Sequence, residues 1–238
     1  MSSERRKLVL LPGMDGTGML FKPFISSLPA PFAAHPIAFP PDRPLSYPQL
    51  ALLVHAQIPA SEPFVLLAES FSTPLAIQIA AARPAALRAL ILVAGFATNP
   101  TSAWFSRALP WLLIQRRLRL PTLVIRRYLL GPGASSALVS SVKDATGSVR
   151  QEVFASRLDS VFHCDSRPQL AQVVVPILYL QASHDRLVPP RCLSEILAIK
   201  PGTAVVRIEG PHLLLQSEPR QSVEAVRHFI EQLMGIRK

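Results

Sequence analysis

At 238 residues, 49% hydrophobic and 17% charged, the chain is long enough for one full-sized core or two small ones and too apolar to be disordered. No stretch approaches the roughly eighteen uncharged apolar residues of a spanning helix, and the opening MSSERRKLVLLPG has no secretory apolar core with a small-residue cleavage site, so a cytoplasmic protein is expected. The net charge of +10 admits an anionic partner, but arginine outnumbers lysine in a chain rich in alanine and proline, and a compositional bias accounts for the excess as well as a nucleic-acid surface does.

Lys7 to Leu11 is an apolar run stopped by Pro12-Gly13, which predicts a buried strand. The glycine-rich loop Gly13-Met14-Asp15-Gly16-Thr17-Gly18 follows. It lacks the G-K-[ST] ending of a phosphate cradle and does not fit GxGxxG, which disfavours a dinucleotide-dependent enzyme. Phe32 to Phe39 predicts a second strand, weakened by Pro36, and Pro40, Pro41 and Pro44 mark a loop. Tyr47 to Ile58 carries Leu50, Leu53, Val54 and Ile58 at helical spacing.

The stretch FVLLAESFSTPLAIQIAAARP, residues 64–84, is the most informative. An apolar strand, Phe64 to Ala68, breaks at Glu69-Ser70 and gives way to an alanine-rich helix running to Arg83. A serine at such a junction is an N-cap or a nucleophile on a sharp turn. The sharp turn needs small residues two places either side, because strand and helix backbones nearly touch, and Ala68 and Ser72 supply them.

Leu87 to Ala94 is a further apolar strand, closed by Gly95. Strand–helix alternation then stops. Residues 97–170 look helical, with Trp104, Phe105 and Trp111 among leucines and then Leu123 to Leu130. This span is expected to be an inserted helical cap on a core formed by 1–96 and 171–238. Between Glu69 and Asp144 there is no acidic residue, while Arg107, Arg116, Arg117 and Arg119 fall inside the span. Pro176 to Gln181 and Ala204 to Glu209 are two more strands, with a helix from Pro190 to Ile199 between them, and Val223 to Met234 is a final amphipathic helix. Apolar strands alternating with helices predict an α/β fold, a doubly wound and mostly parallel sheet of about six strands covered on both faces.

Three reactive side chains fall just past the carboxyl ends of predicted strands: Ser70, Asp185 in LYLQASHDRLVPP, and His212 after AVVRIEG. That edge is where open parallel sheets build sites. His212 can take the proton of the Ser70 hydroxyl, and Asp185 can orient the imidazole. Asp159 and Asp165 are alternative acids. Asp15, Asp42 and Glu69 read as loop or surface groups, His184 is expected to point away, and Cys164 and Cys192 read as packing residues. His35, His55, His163 and His228 show no ligand spacing, so no metal and no cofactor are expected.

With LLPGMDGTG, LLAESFSTPLA, LYLQASHDRLVP and IEGPHLLLQSEP in this order, the chain resembles the α/β-hydrolase fold superfamily over nearly its whole length. It departs from the pattern in two places. The elbow is A-E-S-F-S rather than G-x-S-x-G, and Pro12 stands where a loop histidine is usual. The resemblance implies a serine hydrolase acting through an acyl-enzyme, with oxyanion N–H groups from Met14 and Phe71. Members of that family often begin with an extra antiparallel hairpin; this chain starts only a few residues before its first predicted strand, so that hairpin is expected to be lacking. Carboxylic esters are the expected substrates. A thioesterase or an esterase for acyl groups on a carrier protein is one alternative, and a non-catalytic small-molecule-binding protein is another. Trp104, Phe105 and Trp111 are candidates for an apolar substrate pocket. The arginines of the cap would suit an acidic carrier protein or an anionic membrane surface; a nucleic-acid partner is not expected.

Overall fold

The structure, a computed structural model, describes residues 6–101 and 120–235. Trp104, Phe105, Trp111 and the arginines at 107, 116, 117 and 119 lie outside the described residues. Six strands form one sheet: β1 (Arg6–Leu11), β2 (Phe32–Pro36), β3 (Phe64–Glu69), β4 (Leu87–Val93), β5 (Ile177–Ala182) and β6 (Ala204–Ile208). Their order is β2-β1-β3-β4-β5-β6, and every pair is parallel. The order reverses between β1 and β3, so the loops after these two strands flank a crevice at the carboxyl edge.

Side chains alternate across each strand and fill two cores. From β1, Val9 and Leu11 join Leu66, Leu90, Leu92 and Tyr179 on one face. Leu8 and Leu10 join Val65, Leu67 and Ile91 on the other. Helices α2 (Tyr47–His55) and α3 (Thr73–Ala81) cover the first face through Leu50, Val54, Leu75 and Ile79. The short α1 (Lys22–Ser26) covers the second face through Phe24, together with the carboxyl-terminal helix (Pro219–Leu233) through Val226 and Ile230.

Several element ends differ from the sequence expectation, each for a local reason. The second strand stops at Pro36, on an edge of the sheet where a missing N–H is tolerated. The last helix begins at Pro219, four residues before Val223. Proline supplies helical φ at the first position, but Pro219, Arg220 and Gln221 carry no apolar periodicity to reveal it.

Between β4 and β5 the described chain is helical. A segment over residues 122–130 ends in a π-helical turn, and α4 (Ser136–Gly147), α5 (Gln151–Phe162) and α6 (Arg167–Gln172) follow. The chain leaves and re-enters the core at one neck, where Thr98 bridges Asp165 and Ser166 N donates to Ala97 O at 2.8 Å. Leu170 of α6 is packed in the main core. Leu20, Ile125, Leu130, Val139, Val142 and Leu213 form a separate cluster, which seats the helical segment on the loops at the carboxyl edge.

The turn after β4 is held as tightly as the strands. Thr73 Oγ1 donates to Ser70 O at 2.8 Å and lies 3.0 Å from both Phe96 O and Phe96 N, while Tyr179 OH is bonded to Gly95 N and O. A Cβ on Gly95 would lie 2.5 Å from Thr73 Cγ2 and 2.9 Å from Thr73 Cβ. Gly95→Ala is therefore expected to cost about 1–3 kcal/mol, as overpacking of a rigid site does. Urea unfolding checks this: a midpoint equal to that of the wild type contradicts it.

Candidate active site

Ser70 follows β3 directly and takes a φ of 48°, a left-handed conformation that side chains other than glycine seldom adopt. The chain thereby turns from strand into a single 3-10 turn (Ser70–Ser72) and then into α3. Ala68 and Ser72 are both fully buried where strand and helix meet. The Ser72 hydroxyl donates to Pro12 O and so ties the turn to the glycine loop after β1. The Phe71 ring stacks on Tyr47 at 5.1 Å, and Tyr47 OH donates to Phe71 O at 2.7 Å.

Asp185 and His212 are brought together by stapling of the loops after β5 and β6. Ser183 N donates to Ile208 O and His184 N to Gly210 O, each at 2.9 Å. The Ser183 hydroxyl also donates to Glu209 and accepts from Gly210 N. His212 Nδ1 donates to Asp185 Oδ2 at 2.8 Å, and His212 Nε2 lies 2.9 Å from Ser70 Oγ. The other carboxylate oxygen, Asp185 Oδ1, accepts from Leu187 N at 2.8 Å and Val188 N at 2.9 Å. Every acceptor site that matters on this carboxylate is thus occupied, and a neutral imidazole presents its bare Nε2 to the serine hydroxyl.

The electrostatics follow from burial and neighbours. Burial pushes the Asp185 pKa up, but the His212 charge and hydrogen bond and the two loop N–H groups outweigh it and hold the carboxyl below its usual range. Burial pulls the His212 pKa down, and Asp185, with Glu69 behind it, raises it to a net value above the ordinary 6.5.

The structure places Asp159 and Asp165 elsewhere: Asp159 pairs with His163 at 3.2 Å and Asp165 with Arg167 at 2.6 Å, all exposed. His184 faces out to Glu209 at 3.0 Å. The reading of Asp15 and Glu69 as loop or surface groups is corrected: they are only 5% and 1% exposed. Glu69 ends a strand whose every residue is buried, and its side chain runs under the glycine loop, where its Oε2 accepts from Gln216 Nε2 at 3.1 Å. Arg157, on α5, is likewise buried beneath that loop. Two signals in the sequence point to these groups. Glu69 terminates an apolar run, and Arg157 falls on the buried stripe of its helix, four residues from both Val153 and Val161.

Neither Met14 N–H nor Phe71 N–H has a hydrogen-bond acceptor among the described residues. Met14 is the second residue of the glycine loop and Phe71 follows Ser70, so both donors belong to segments that flank the serine. Among the described residues no group of three or more His, Cys, Asp or Glu side chains is disposed to hold a metal ion, and no helix is long and apolar enough to cross a membrane.

Comparisons with known proteins bear on the family and the fold. The model of the Alpha/beta hydrolase family matches residues 8–226. The Biotin biosynthesis bifunctional protein BioHC of Cellvibrio japonicus (strain Ueda107) is 27% identical over 197 residues, covering 79% of this chain. The chain spans 39% of the length of that curated relative. A hydrolase from Oleispira antarctica has a TM-score of 0.82 at 14% identity, over 95% of this chain and 91% of its own. The enol-lactonase from Burkholderia xenovorans LB400 has a TM-score of 0.75 at 16% identity, over 95% and 91%. At these identities the two structures share the fold.

Glu69 yields a prediction about stability. Burial raises its pKa from 4.5 to about 7, while His212 and Gln216 lower it and Asp15 raises it further. Below 4.5 the folded and unfolded chains both hold the proton and its contribution is complete. As pH rises from 4.5 to about 7 the unfolded chain releases the proton first, so stability falls. Glu69→Gln removes this dependence. Its melting temperature is expected to gain on that of the wild type across the window, by an amount equivalent to a few kcal/mol at most. Parallel melting curves at every pH contradict the assignment.

Proposed function

Because the chain belongs to the alpha/beta hydrolase family, we propose that it is a serine hydrolase that cleaves carboxylic esters through an acyl-enzyme. The observation that carries this reading is the unbroken chain of contacts from Ser70 Oγ to His212 Nε2 at 2.9 Å and from His212 Nδ1 to Asp185 Oδ2 at 2.8 Å. Ser70 Oγ attacks the ester carbonyl while His212 Nε2 accepts its proton. Asp185 keeps the imidazole in the tautomer with Nδ1 protonated and stabilises the imidazolium formed. Met14 N–H and Phe71 N–H, free of other acceptors among the described residues, receive the developing oxyanion. His212 then protonates the leaving alcohol, and a water deprotonated by the same ring releases the acid.

Residues 97–170 serve in this reading as a helical cap over the site, supported by the common neck at Thr98 and Asp165 and by the Leu20–Leu213 cluster beneath it. A thioester or carrier-linked acyl group is a second reading. It draws on the absence of acidic residues between Glu69 and Asp144 and on Arg127, which is exposed on the segment over residues 122–130. A purely binding role is opposed by the hydrogen-bonded arrangement of all three reactive side chains.

The deciding experiment is labelling with a fluorophosphonate followed by hydrolysis of p-nitrophenyl esters and acyl thioesters. The wild type labels at Ser70, Ser70→Ala does not, and Asp185→Asn loses on the order of 10⁴-fold in kcat by stranding the wrong tautomer. The acid limb of kcat/KM inflects above 6.5, because protonated His212 cannot accept the serine proton. A wild-type protein that neither labels nor turns over any ester or thioester leaves the binding role standing instead.

A further inference from the structure

The glycine loop is held by its carbonyls, and two of those holds come from one side chain. Pro12 O accepts from the Ser72 hydroxyl. Gly13 O accepts from Gly16 N at 3.0 Å, and Gly16 O from Phe39 N at 2.7 Å. Met14 O and Asp15 O both accept from Arg157 Nη1, at 3.0 and 2.8 Å. Five consecutive carbonyls, Pro12 to Gly16, therefore each have a donor. In a trans peptide the N–H points opposite to the C=O. Turning Gly13 O towards Gly16 N directs Met14 N–H to the other side, and the two bonds from Arg157 fix the planes that follow.

Arg157 is built into this place. It is 2% exposed, its Nη2 donates to Pro40 O at 3.0 Å, and its guanidinium carbon lies 5.8 Å from the centre of the Phe39 ring. A Cβ on Gly16 would stand 2.5 Å from its Nη1, so the loop approaches the guanidinium as closely as a bare glycine allows. No carboxylate forms an ion pair with it among the described residues. Burial lowers its pKa to about 10, with Asp15 opposing, so it carries its charge at neutral pH. A planar fork meets three backbone carbonyls in a geometry that lysine cannot copy.

We infer that Arg157 is a positioning residue for the reaction: by gripping Met14 O and Asp15 O it holds the Met14 N–H where the oxyanion forms. The inference rests on the nucleophile and oxyanion assignments proposed above. It gives the helical segment between β4 and β5 a share in the chemistry, since the group that aligns a loop of the core comes from α5, 142 residues further along the chain than Asp15.

The test uses the full chain as wild type, Arg157→Met and Arg157→Lys, each titrated with a fluorophosphonate so that rates are expressed per reactive serine. Two readouts are compared: kcat and KM for p-nitrophenyl acetate, and the inhibition constant of a trifluoromethyl ketone, whose tetrahedral adduct needs the oxyanion donors as the transition state does. Expected for both variants is a fall in kcat of about 10- to 100-fold, the effect of a donor displaced by about an ångström, with KM within about two-fold. The ketone constant rises by the factor by which kcat/KM falls. In an Arg157→Ala chain, added guanidinium ion restores part of kcat and ammonium does not. A kcat per titrated serine equal to that of the wild type, with only a lowered melting temperature, overturns the inference, as does a loss confined to KM. If Arg157→Met does not fold, Arg157→Lys decides by the same criteria. A wild type that does not label removes the nucleophile assignment itself, whereas a wild type that labels and turns over, beside variants with unchanged kcat, removes this inference alone.

Discussion

The site depends on keeping residue 70 in a backbone conformation it would not choose. A non-glycine residue at a φ of 48° costs on the order of 1–3 kcal/mol, and it persists only where its surroundings over-determine it. Here the fastenings are countable. Thr73 Oγ1 holds Ser70 O, Tyr47 OH holds Phe71 O, and the Ser72 hydroxyl reaches across to Pro12 O. Each lies on a different element, so releasing the strain would require α2, α3 and the glycine loop to move together. The result is that the Ser70 hydroxyl projects from the carboxyl edge instead of capping α3, and the N–H of Phe71 is left without an acceptor among the described residues.

A second constraint is electrostatic. Five ionisable side chains, Asp15, Glu69, Arg157, Asp185 and His212, are buried around the loops at this edge. Asp185 carries its charge because three hydrogen bonds stabilise it. Glu69 has far less support: among the described residues its Oε1 has no partner and its Oε2 has Gln216 alone. It therefore keeps its proton up to about 7, and over that range adds no second negative charge where an oxyanion would form. The two carboxyls differ in protonation through burial and hydrogen bonding rather than through distance in sequence.

Much of this was legible in the residues. Apolar runs interrupted by glycine and proline give the six strands, and the apolar character of most of them throughout gives the parallel sheet. The break at Glu69-Ser70 gives the turn, and the position of Asp185 and His212 beyond strand ends gives their place at one edge. What the sequence does not reveal is of two kinds. Element ends that depend on caps and edges, such as Pro36 and Pro219, carry no periodic signal. Polar groups buried by tertiary packing read locally as loop or surface: Asp15 lies in the glycine loop and Glu69 ends β3, and the groups packed against them, Arg157 of α5 and Gln216, come from remote parts of the chain. The signals that mark two of them are the place of Glu69 at the end of an apolar run and that of Arg157 in line with Val153 and Val161.

The helical segment between β4 and β5 is bound to the rim at two opposite points. On one side Leu213 N, next to His212, donates to Leu129 O at 2.9 Å. On the other, Arg157 grips the loop that carries Met14. The backbone beside the imidazole and the backbone of the glycine loop thus both take part of their hydrogen bonding from this segment. A charged hydrogen bond between buried groups is expensive to break without a replacement, so the segment cannot be shifted freely to suit a different substrate while the core stays fixed. Substitutions that reshape its outer surface leave both anchors intact, whereas a change of register in α5 would move a side chain out from under the glycine loop. The outer faces of these helices are therefore free to vary in shape and charge, and the inner stripe through Val153, Arg157 and Val161 is committed to the alignment of the site.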